Sequence, residues 1–260
     1  DEYPAVDGST ANLPLMAAVL ARVTGMELAD AEAHTTCSTT PYAYESLVNG
    51  EADLLLVYEA AEETKQMIED SGVSLDFIPI GRDALVFIVN ESNPVAGLTV
   101  SQLTDIYTGK TTNWRQVGGE DNDIAAFQRS SDSGSQALFM KLLMKGRTPM
   151  QAPTEFYPTE MGALIEALAE YNNAGNAIGY SVYYYANYMY AKPGLKFLAV
   201  NGVVPSDETI ASGRYPFVNE FYAVVRSDEP ADSPARQIAN WLATEQGKEL
   251  IREAGYVPTP

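Results

Sequence analysis

A single arginine precedes a cluster of serines, one glycine and a predicted helix in FQRSSDSGSQALFMKLLMK, residues 127–145. The helix is predicted to begin near Ser135, where its first N–H groups have no intrahelical acceptor and the helix dipole adds positive charge. Arg129 offers a planar, permanently charged guanidinium that suits a tetrahedral oxyanion. Ser133 and Ser135 add hydroxyl donors, and Gly134 lets a ligand approach the backbone. The segment therefore predicts an anion site.

Two further segments place hydroxyl groups before predicted helices. In DGSTANLPLMAAVL, residues Gly8, Ser9 and Thr10 would present N–H and O–H groups at a helix start. In TTCSTTPY, residues 35–42, Thr39 or Thr40 would cap the following helix. If the first of these segments faces the arginine segment across a cleft, the two would form a nearly closed cage of donors.

Each of these segments also has an ordinary structural interpretation. A serine or threonine before a helix commonly does no more than cap it, and Arg129 could pair with Asp132 or another acid. The tyrosine-rich segment GYSVYYYANYMY, residues 179–190, could stack sugars or bases. We expect it instead to combine a buried strand, residues 178–182, with a partly exposed surface.

Composition excludes several classes of protein. The formal net charge is −19, from 16 Lys and Arg against 35 Asp and Glu. Such an acidic chain disfavours nucleic acid and anionic lipid, because both are bound through Lys and Arg. No apolar run reaches the roughly 18 residues of a membrane span. The chain begins abruptly at DEYPAVDGST, so we expect that its natural N-terminus was removed by processing or cloning.

Catalytic and metal-binding chemistry finds little support. The chain has one histidine, His34, and one cysteine, Cys37, so it has no intrachain disulfide. A zinc site or a Cys–His dyad is not expected, and a serine hydrolase would have to use His34 as its base. We expect both residues to pack at a strand end. No metal and no cofactor are predicted.

Short apolar segments alternate with helical patterns, which indicates an α/β fold. Pro14 and Gly25 are predicted to lie at the start and the stop of the first helix. Thr99 is predicted to cap the helix in TVSQLTDIYTG. The predicted strands lie near residues 53–58, 76–80, 84–90, 124–128, 177–182, 196–200 and 215–227. Residues 84–90 and 219–226 are the expected crossings between two lobes.

Blocks spread along nearly the whole chain match one known pattern. GLTVSQLTDIYTGKTTNWRQVGG (97–119) places a helix before G-K-x-x-N-W, and RSSDSGSQALF (129–139) carries R-x-x-x-S-G-S. Further blocks are NAIGYSVYYYA (176–186), YPFVNEFYAVV (215–225) and EQGKELIREAGYVP (245–258). In these blocks the chain resembles the substrate-binding proteins of bacterial phosphate ABC importers, which have a type II periplasmic-binding-protein fold.

The resemblance implies an α/β protein of two lobes, each a central β-sheet flanked by helices, with the ligand in the cleft between them. Lobe one would comprise residues 1–88 and 219–260, and lobe two residues 89–218. The implied ligand-binding residues of lobe two are Arg129, Ser133, Gly134 and Ser135. Those of lobe one are Ser9, Thr10, the backbone of Ala11, a hydroxyl of Ser38, Thr39 or Thr40, and the carboxylate of Glu59.

Two features depart from the family pattern. The third loop of the family is rich in glycine, whereas this chain has TTCSTTPY. The family carboxylate is an aspartate, whereas the nearest candidate here is Glu59. Both departures concern the ligand more than the fold.

The expected function is an extracytoplasmic, monomeric solute-binding protein that binds inorganic phosphate and delivers it to an ABC permease. It would be lipid-anchored at the cell surface or periplasmic, and it would not be an enzyme. The alternatives are the same fold binding sulfate, molybdate or an organic phosphate, and a hydrolase of phosphate esters. A surface sensor or adhesin with a vestigial pocket would bind no anion.

Overall fold

The computed structural model describes residues 3–131, 133–152, 161–170 and 174–260, so Asp132 lies outside the described residues. The chain divides into two units, Asp1–Arg82 with Glu220–Pro260, and Asp83–Asn219. The first crossing thus lies earlier than the boundary at residue 88 predicted from the sequence. It falls inside an uninterrupted strand, where no change in composition marks it.

Residues at the ends of the helices match the preferences of helix caps. The helices are α1 Leu13–Thr24, α2 Leu28–His34, α3 Thr40–Asn49, α4 Glu62–Ser71, α5 Val100–Tyr107, α6 Gly134–Phe139, α7 Met161–Glu170, α8 Asp207–Ala211, α9 Pro234–Leu242 and α10 Glu245–Glu253. Pro14 lies in the first turn of α1, and Gly25 ends that helix in the left-handed conformation. The predicted start and stop of this helix are confirmed.

Most strands are short and apolar. They are β1 Val6–Gly8, β2 Leu54–Tyr58, β3 Leu75–Asn90, β4 Gly97–Leu98, β5 Ala125–Ala126, β6 Ala177–Val182, β7 Leu195–Phe197, β8 Ala199–Val200, β9 Val218–Arg226 and β10 Val257–Pro258. The sequence predicted two strands near 76–80 and 84–90, but the structure has the single strand β3. The polar residues between the two predicted strands are part of β3, and β10 pairs with β3 there, at Gly81 and Arg82.

In the first unit, β2 lies between two neighbours, parallel to β1 and antiparallel to β9. All five residues of β2 are buried, as expected of a strand covered on both faces. Helices α3 and α9 contact it. The close approach of β1 requires Gly8, because a Cβ there would lie 2.1 Å from the carbonyl oxygen of Leu56.

In the second unit, β6 is parallel to β5 and antiparallel to β3, which also pairs with β7. Helix α7 packs on β6 at Gly179, where a Cβ would come within 2.9 Å of side-chain carbons of Leu164 and Leu168. Glycine is therefore needed here for close packing of helix on strand. The sequence predicts a helix over GALIEALAEYNNAG, residues 162–175, of which residues 171–173 lie outside the described residues.

An aromatic cluster fills the second unit beneath the arginine segment. Phe139 stacks on Tyr180 with ring centroids 4.4 Å apart, and Tyr107 meets Phe139 edge to face at 4.8 Å. Phe87 of β3 contacts both tyrosines. Aromatic pairs in such geometry add to the area they bury. The cluster fixes α6 against β6, and this fixes the helix start that the arginine precedes.

The N-W block of the sequence is a rigid capped turn. Asn113 caps a short 3₁₀ helix, Trp114–Val117, and Gln116 completes a capping box. Trp114 is buried, and its indole N–H donates to the carbonyl oxygen of Asn176 over 2.9 Å. Thr99 caps α5 with a capping box as well, which confirms that prediction. The block therefore has a structural role, because its tryptophan packs in the interior of the second unit.

Two further local predictions were wrong, and one helix was not recognised. Residues 136–145 were expected to be one α-helix, but α6 ends at Phe139 and a π-helix follows over Met140–Met144. His34 and Cys37 were expected to pack at a strand end. Instead, His34 ends α2 on the surface, and Cys37 lies in the following loop. Helix α2 itself carries too weak an apolar pattern to be recognised, since Ala31 is its buried residue.

Candidate functional site

Arg129 is buried with its charge beside a helix start. The residue is 5% exposed, and its Nη1 donates to Oγ of Ser135 over 3.3 Å. Ser135 is the second residue of α6 and is 1% exposed. A guanidinium at this end of a helix adds a full positive charge to the partial charge of the helix dipole. The arrangement favours an anion.

Tyr180 holds the arginine in place from the neighbouring strand. The backbone N–H of Arg129 donates to the hydroxyl of Tyr180 over 3.0 Å, and that hydroxyl donates to Oε1 of Gln136. Gln136 belongs to α6, so one phenol links the arginine segment to the helix. Sequence reasoning missed this role, although the G-Y pair of β6 lay in a recognised block.

Ser133 occupies the cap position of α6. Its Oγ accepts from the backbone N–H of Gln136 over 3.1 Å. This is the ordinary structural role that the sequence allowed for Ser133. The helix begins at Gly134, one residue before the predicted start. In the second unit, therefore, Arg129 and Ser135 are brought together, while the Ser133 hydroxyl accepts a helix-cap bond.

In the first unit, the hydroxyl of Ser9 is used inside the protein. Ser9 is buried, its Oγ lies 2.8 Å from Oγ1 of Thr40, and it accepts from the backbone N–H of Tyr58 over 3.2 Å. These bonds join the loop after β1 to the start of α3 and the end of β2. Ser9 is thus a structural link between the two hydroxyl-rich segments.

Thr10 and Ala11 lie in a 3₁₀ turn that leads into α1. Thr10 is half-buried, and the thiol of Cys37 lies 3.9 Å from its Oγ1. Ala11 is fully buried, and its carbonyl oxygen accepts from the hydroxyl of Tyr256 over 2.7 Å. The turn is therefore anchored by the segment that follows α10, and Thr10 is the more accessible of the two residues.

Asp7 binds the loop that carries Ser38, which sequence reasoning did not anticipate. Oδ1 of Asp7 accepts from the backbone N–H of Ser38 over 2.8 Å, and Oδ2 accepts from the Ser38 hydroxyl. Oδ1 also accepts from the N–H of Gly8 over 2.7 Å. Both donors of Ser38 therefore point to a carboxylate. The position of Asp7 beside a serine- and threonine-rich loop could be learned only from the fold.

Thr39 has a backbone conformation that is almost restricted to glycine. Its φ is 75° and its ψ is 163°, and conformations of this kind cost on the order of 1–3 kcal/mol for other residues. Thr39 is the residue before α3, yet its side chain makes no capping hydrogen bond to that helix. Its side chain is exposed, so its hydroxyl is open to solvent or to a ligand.

Glu59 follows β2 and forms an ion pair instead of opening a helix. Its Oε1 lies 3.0 Å from Nζ of Lys65, and its side chain is 27% exposed. Helix α4 begins later, at Glu62, which contacts the same lysine. Glu59 therefore lies outside α4, although the sequence also allowed an acid that simply opens this helix, and its role in ligand binding stays a prediction.

The family model described as "PBP superfamily domain" matches residues 2–246. The chain belongs to this superfamily. Among curated relatives, it is 28% identical to "Phosphate-binding protein PstS" of Borreliella burgdorferi over 75% of this chain and 68% of that protein. This confirms the resemblance to phosphate-binding proteins that the sequence blocks indicated.

Solved structures of PBP proteins show the same α/β fold. One is an ABC-type phosphate transport receptor from Vibrio cholerae, with a TM-score of 0.70, 25% identity and coverage of 98% of this chain and 99% of that one. Another is a candidate phosphate ABC transporter substrate-binding protein from Clostridium perfringens, solved with bound phosphate. Its TM-score is 0.72 at 22% identity, with both chains fully covered. The predicted fold class is confirmed.

Other chemistry has little basis in this PBP protein. Burial raises the pKa of the Cys37 thiol, which is the opposite of nucleophile activation. Nδ1 of His34 is bonded to the carbonyl oxygen of Asp30 on the surface. Within the described ranges, no group of three or more His, Cys, Asp or Glu could hold a metal ion. The helices of those same ranges include none long and apolar enough to cross a membrane.

Proposed function

We propose that this protein is a solute-binding protein of an ABC importer that binds inorganic phosphate. The observation that carries the proposal is the buried guanidinium of Arg129, bonded to Ser135 at the start of α6. A guanidinium, a hydroxyl and helix amides together offer a tetrahedral anion several charge-assisted hydrogen bonds. In a site removed from water, such bonds are stronger than on an exposed surface. Phosphate-binding relatives support the same ligand.

The net charge of −19 is compatible with an anionic ligand. Surface charges are screened over about 8–10 Å at physiological salt, whereas the donors of a binding site act at contact distance. Arg129, the Ser135 hydroxyl and the first amides of α6 are the proposed donors of the second unit, and Gly134 opens the backbone there. Ser133 contributes by capping the helix.

The first unit offers its own donors. Thr10 and the backbone of Ala11 are proposed ligands at the start of α1, and Thr39 is the accessible hydroxyl before α3. The hydroxyls of Ser38 and Thr40 contact Asp7 and Ser9, so we assign them to the support of the loop. That one phosphate contacts residues of both units stays a prediction.

Transport and location are part of the proposal. A binding protein of this kind acts stoichiometrically as a monomer, without catalysis or cofactor, and passes phosphate to a membrane permease. It works outside the cytoplasm, in the periplasm or on the cell surface through a lipid anchor. Relatives that are phosphate-binding proteins support the extracytoplasmic role.

Calorimetric titration of ligand-stripped protein with phosphate tests the proposal. We expect saturable binding of one phosphate per chain, with competition by sulfate, molybdate or an organic phosphate only at much higher concentration. A tighter fit to one of these anions would reassign the ligand within the same fold. Absence of binding to all of them would support a sensor or adhesin, and turnover of a generic phosphate ester would support a hydrolase.

Glu59→Gln is expected to lose much of the preference for phosphate over sulfate. Phosphate near neutral pH carries a proton that a carboxylate can accept, whereas sulfate carries none. A site built around such a hydrogen bond rejects an analogue that lacks it by about 10⁴–10⁵. An amide donates as well as accepts, so it should tolerate sulfate. Paired titrations of wild type and variant with both anions measure the change.

Glu62→Gln is the matched control for this substitution. Glu62 contacts the same Lys65 over 2.8 Å, but its side chain is 88% exposed. We expect Glu62→Gln to keep the discrimination of wild type, since an exposed acid of this kind contributes little. If Glu59→Gln excludes sulfate as strongly as Glu62→Gln does, another acid discriminates between the anions.

A further inference from the structure

The carboxylate of Asp7 accepts three hydrogen bonds in the first unit, two of them from Ser38. An acid so close to a loop that is proposed to bind an anion is unexpected, because its charge opposes that of the ligand. Its oxygens, however, are occupied by donors of the protein. Asp7 therefore holds the loop in place through its hydrogen bonds to Ser38.

Thr39, the next residue after Ser38, is held between two fixed neighbours. Before it, Ser38 is bound to Asp7 through both backbone and side chain. After it, Thr40 is buried and its hydroxyl contacts Ser9 over 2.8 Å. The carbonyl oxygen of Thr39 accepts the first bond of α3, from Ala43 over 2.8 Å. A strained conformation persists only where its surroundings fix it in this way.

Release of Thr39 would remove donors from the site. A threonine before a helix ordinarily adopts an extended conformation and accepts a first-turn N–H through its hydroxyl. Thr39, with φ of 75°, makes no such bond to α3. Relaxation to the ordinary cap would turn its hydroxyl toward the helix and occupy a first-turn N–H. Both groups would then be lost to an anion.

We propose that Asp7 is a positioning residue of the phosphate site, which fixes Ser38 and thereby helps to hold Thr39 in a conformation that glycine adopts without strain and threonine does not. This inference rests on the proposed function. It also explains how a threonine can occupy a backbone conformation suited to glycine, because the Asp7 carboxylate fixes the residue before it. Asp7 need not touch the ligand.

The test is a double-mutant cycle in which phosphate affinity is measured by calorimetry. Asp7→Ala is expected to weaken binding by at least ten-fold when residue 39 is threonine. Glycine adopts this backbone conformation without strain, so in a Thr39→Gly background the hydrogen bonds of Asp7 are not needed. There the same substitution should lower the phosphate affinity by less than three-fold. Because Asp7→Ala is compared with its own parent in each background, the direct effect of losing the Thr39 hydroxyl is the same on both sides and cancels. Coupling between contacting residues is what such a cycle isolates.

Ser38→Ala removes the partner of Asp7 in the side-chain hydrogen bond between them. It is a smaller change than Asp7→Ala and serves as the test if Asp7→Ala does not fold. It is expected to weaken binding several-fold when Thr39 is present and to have no effect in the Thr39→Gly background. Equal losses in both backgrounds, for either substitution, would overturn the inference and indicate direct contact with phosphate or a general loss of structure.

Asp53→Ala is the control for loss of an acid in the first unit. Asp53 also accepts a backbone N–H, from Ala5 over 3.0 Å, and it pairs with Arg226 over 3.4 Å just before β2. The affinity of this variant should equal that of wild type. Wild-type protein that does not bind phosphate would end the proposed function and the inference together, whereas wild-type binding with an unaffected Asp7→Ala would end the inference alone.

Discussion

Arg129→Ala is expected to weaken phosphate binding by at least a hundred-fold while the protein remains folded. Removal of one partner of a buried, hydrogen-bonded charge pair costs about 2–5 kcal/mol, and 1.4 kcal/mol corresponds to about ten-fold in affinity. Arg129 is 5% exposed, so water does not compensate for its loss. Calorimetry measures the affinity, and circular dichroism verifies the fold.

Arg115→Ala is the matched control for this prediction. Arg115 lies in the same unit and forms an ion pair with Asp121, but both side chains are more than 60% exposed. Its removal should leave the affinity unchanged. Arg129→Lys should recover little, since an ammonium cannot form the paired bonds of a guanidinium. Binding by Arg129→Ala within three-fold of wild type would place the anion elsewhere.

Phosphate is expected to stabilise the protein by about 2.7 kcal/mol at a concentration one hundred times its Kd. A ligand that binds only the folded state stabilises it by RT ln(1 + [L]/Kd). For a chain of this length, that free energy raises Tm by roughly 5–10 °C, at about 2–4 °C per kcal/mol. Thermal unfolding of stripped protein, with and without phosphate, measures the shift.

Two controls separate specific binding from effects of salt. Sodium chloride at matched ionic strength should leave Tm nearly unchanged, and Arg129→Ala should show a much smaller shift at the same phosphate concentration. An unchanged Tm of wild type in millimolar phosphate would contradict the proposed function. A shift of equal size in Arg129→Ala would show that the arginine is not a ligand.

Local signals in the sequence predicted most helix ends and the arginine segment. Pro14, Gly25 and Thr99 have effects that operate within a few residues, so their positions alone were sufficient. Arg129 and Ser135 lie only six residues apart in the chain, so their contact needs no pairing of distant segments. The apolar pattern of β2 likewise sufficed, because a strand buried on both faces reads as a continuous apolar run.

The first unit was harder to predict because its contacts join distant segments. Asp7 and Ser38 are 31 positions apart, as are Ser9 and Thr40, and they meet because α3 packs against β1 in the folded unit. The conformation of Thr39 could not be anticipated, since a β-branched residue is a poor candidate for positive φ. The sequence could name three hydroxyls of this loop but could not distinguish them.

The buried indole of Trp114 gives the protein a built-in optical reporter. The chain has two tryptophans, and the other one, Trp241, belongs to the first unit. Trp114 lies in the second unit, with its N–H bonded to Asn176 in a dry environment. Since each unit carries one tryptophan, Trp241→Phe and Trp114→Phe would let tryptophan fluorescence follow the unfolding of each unit separately, without any attached dye.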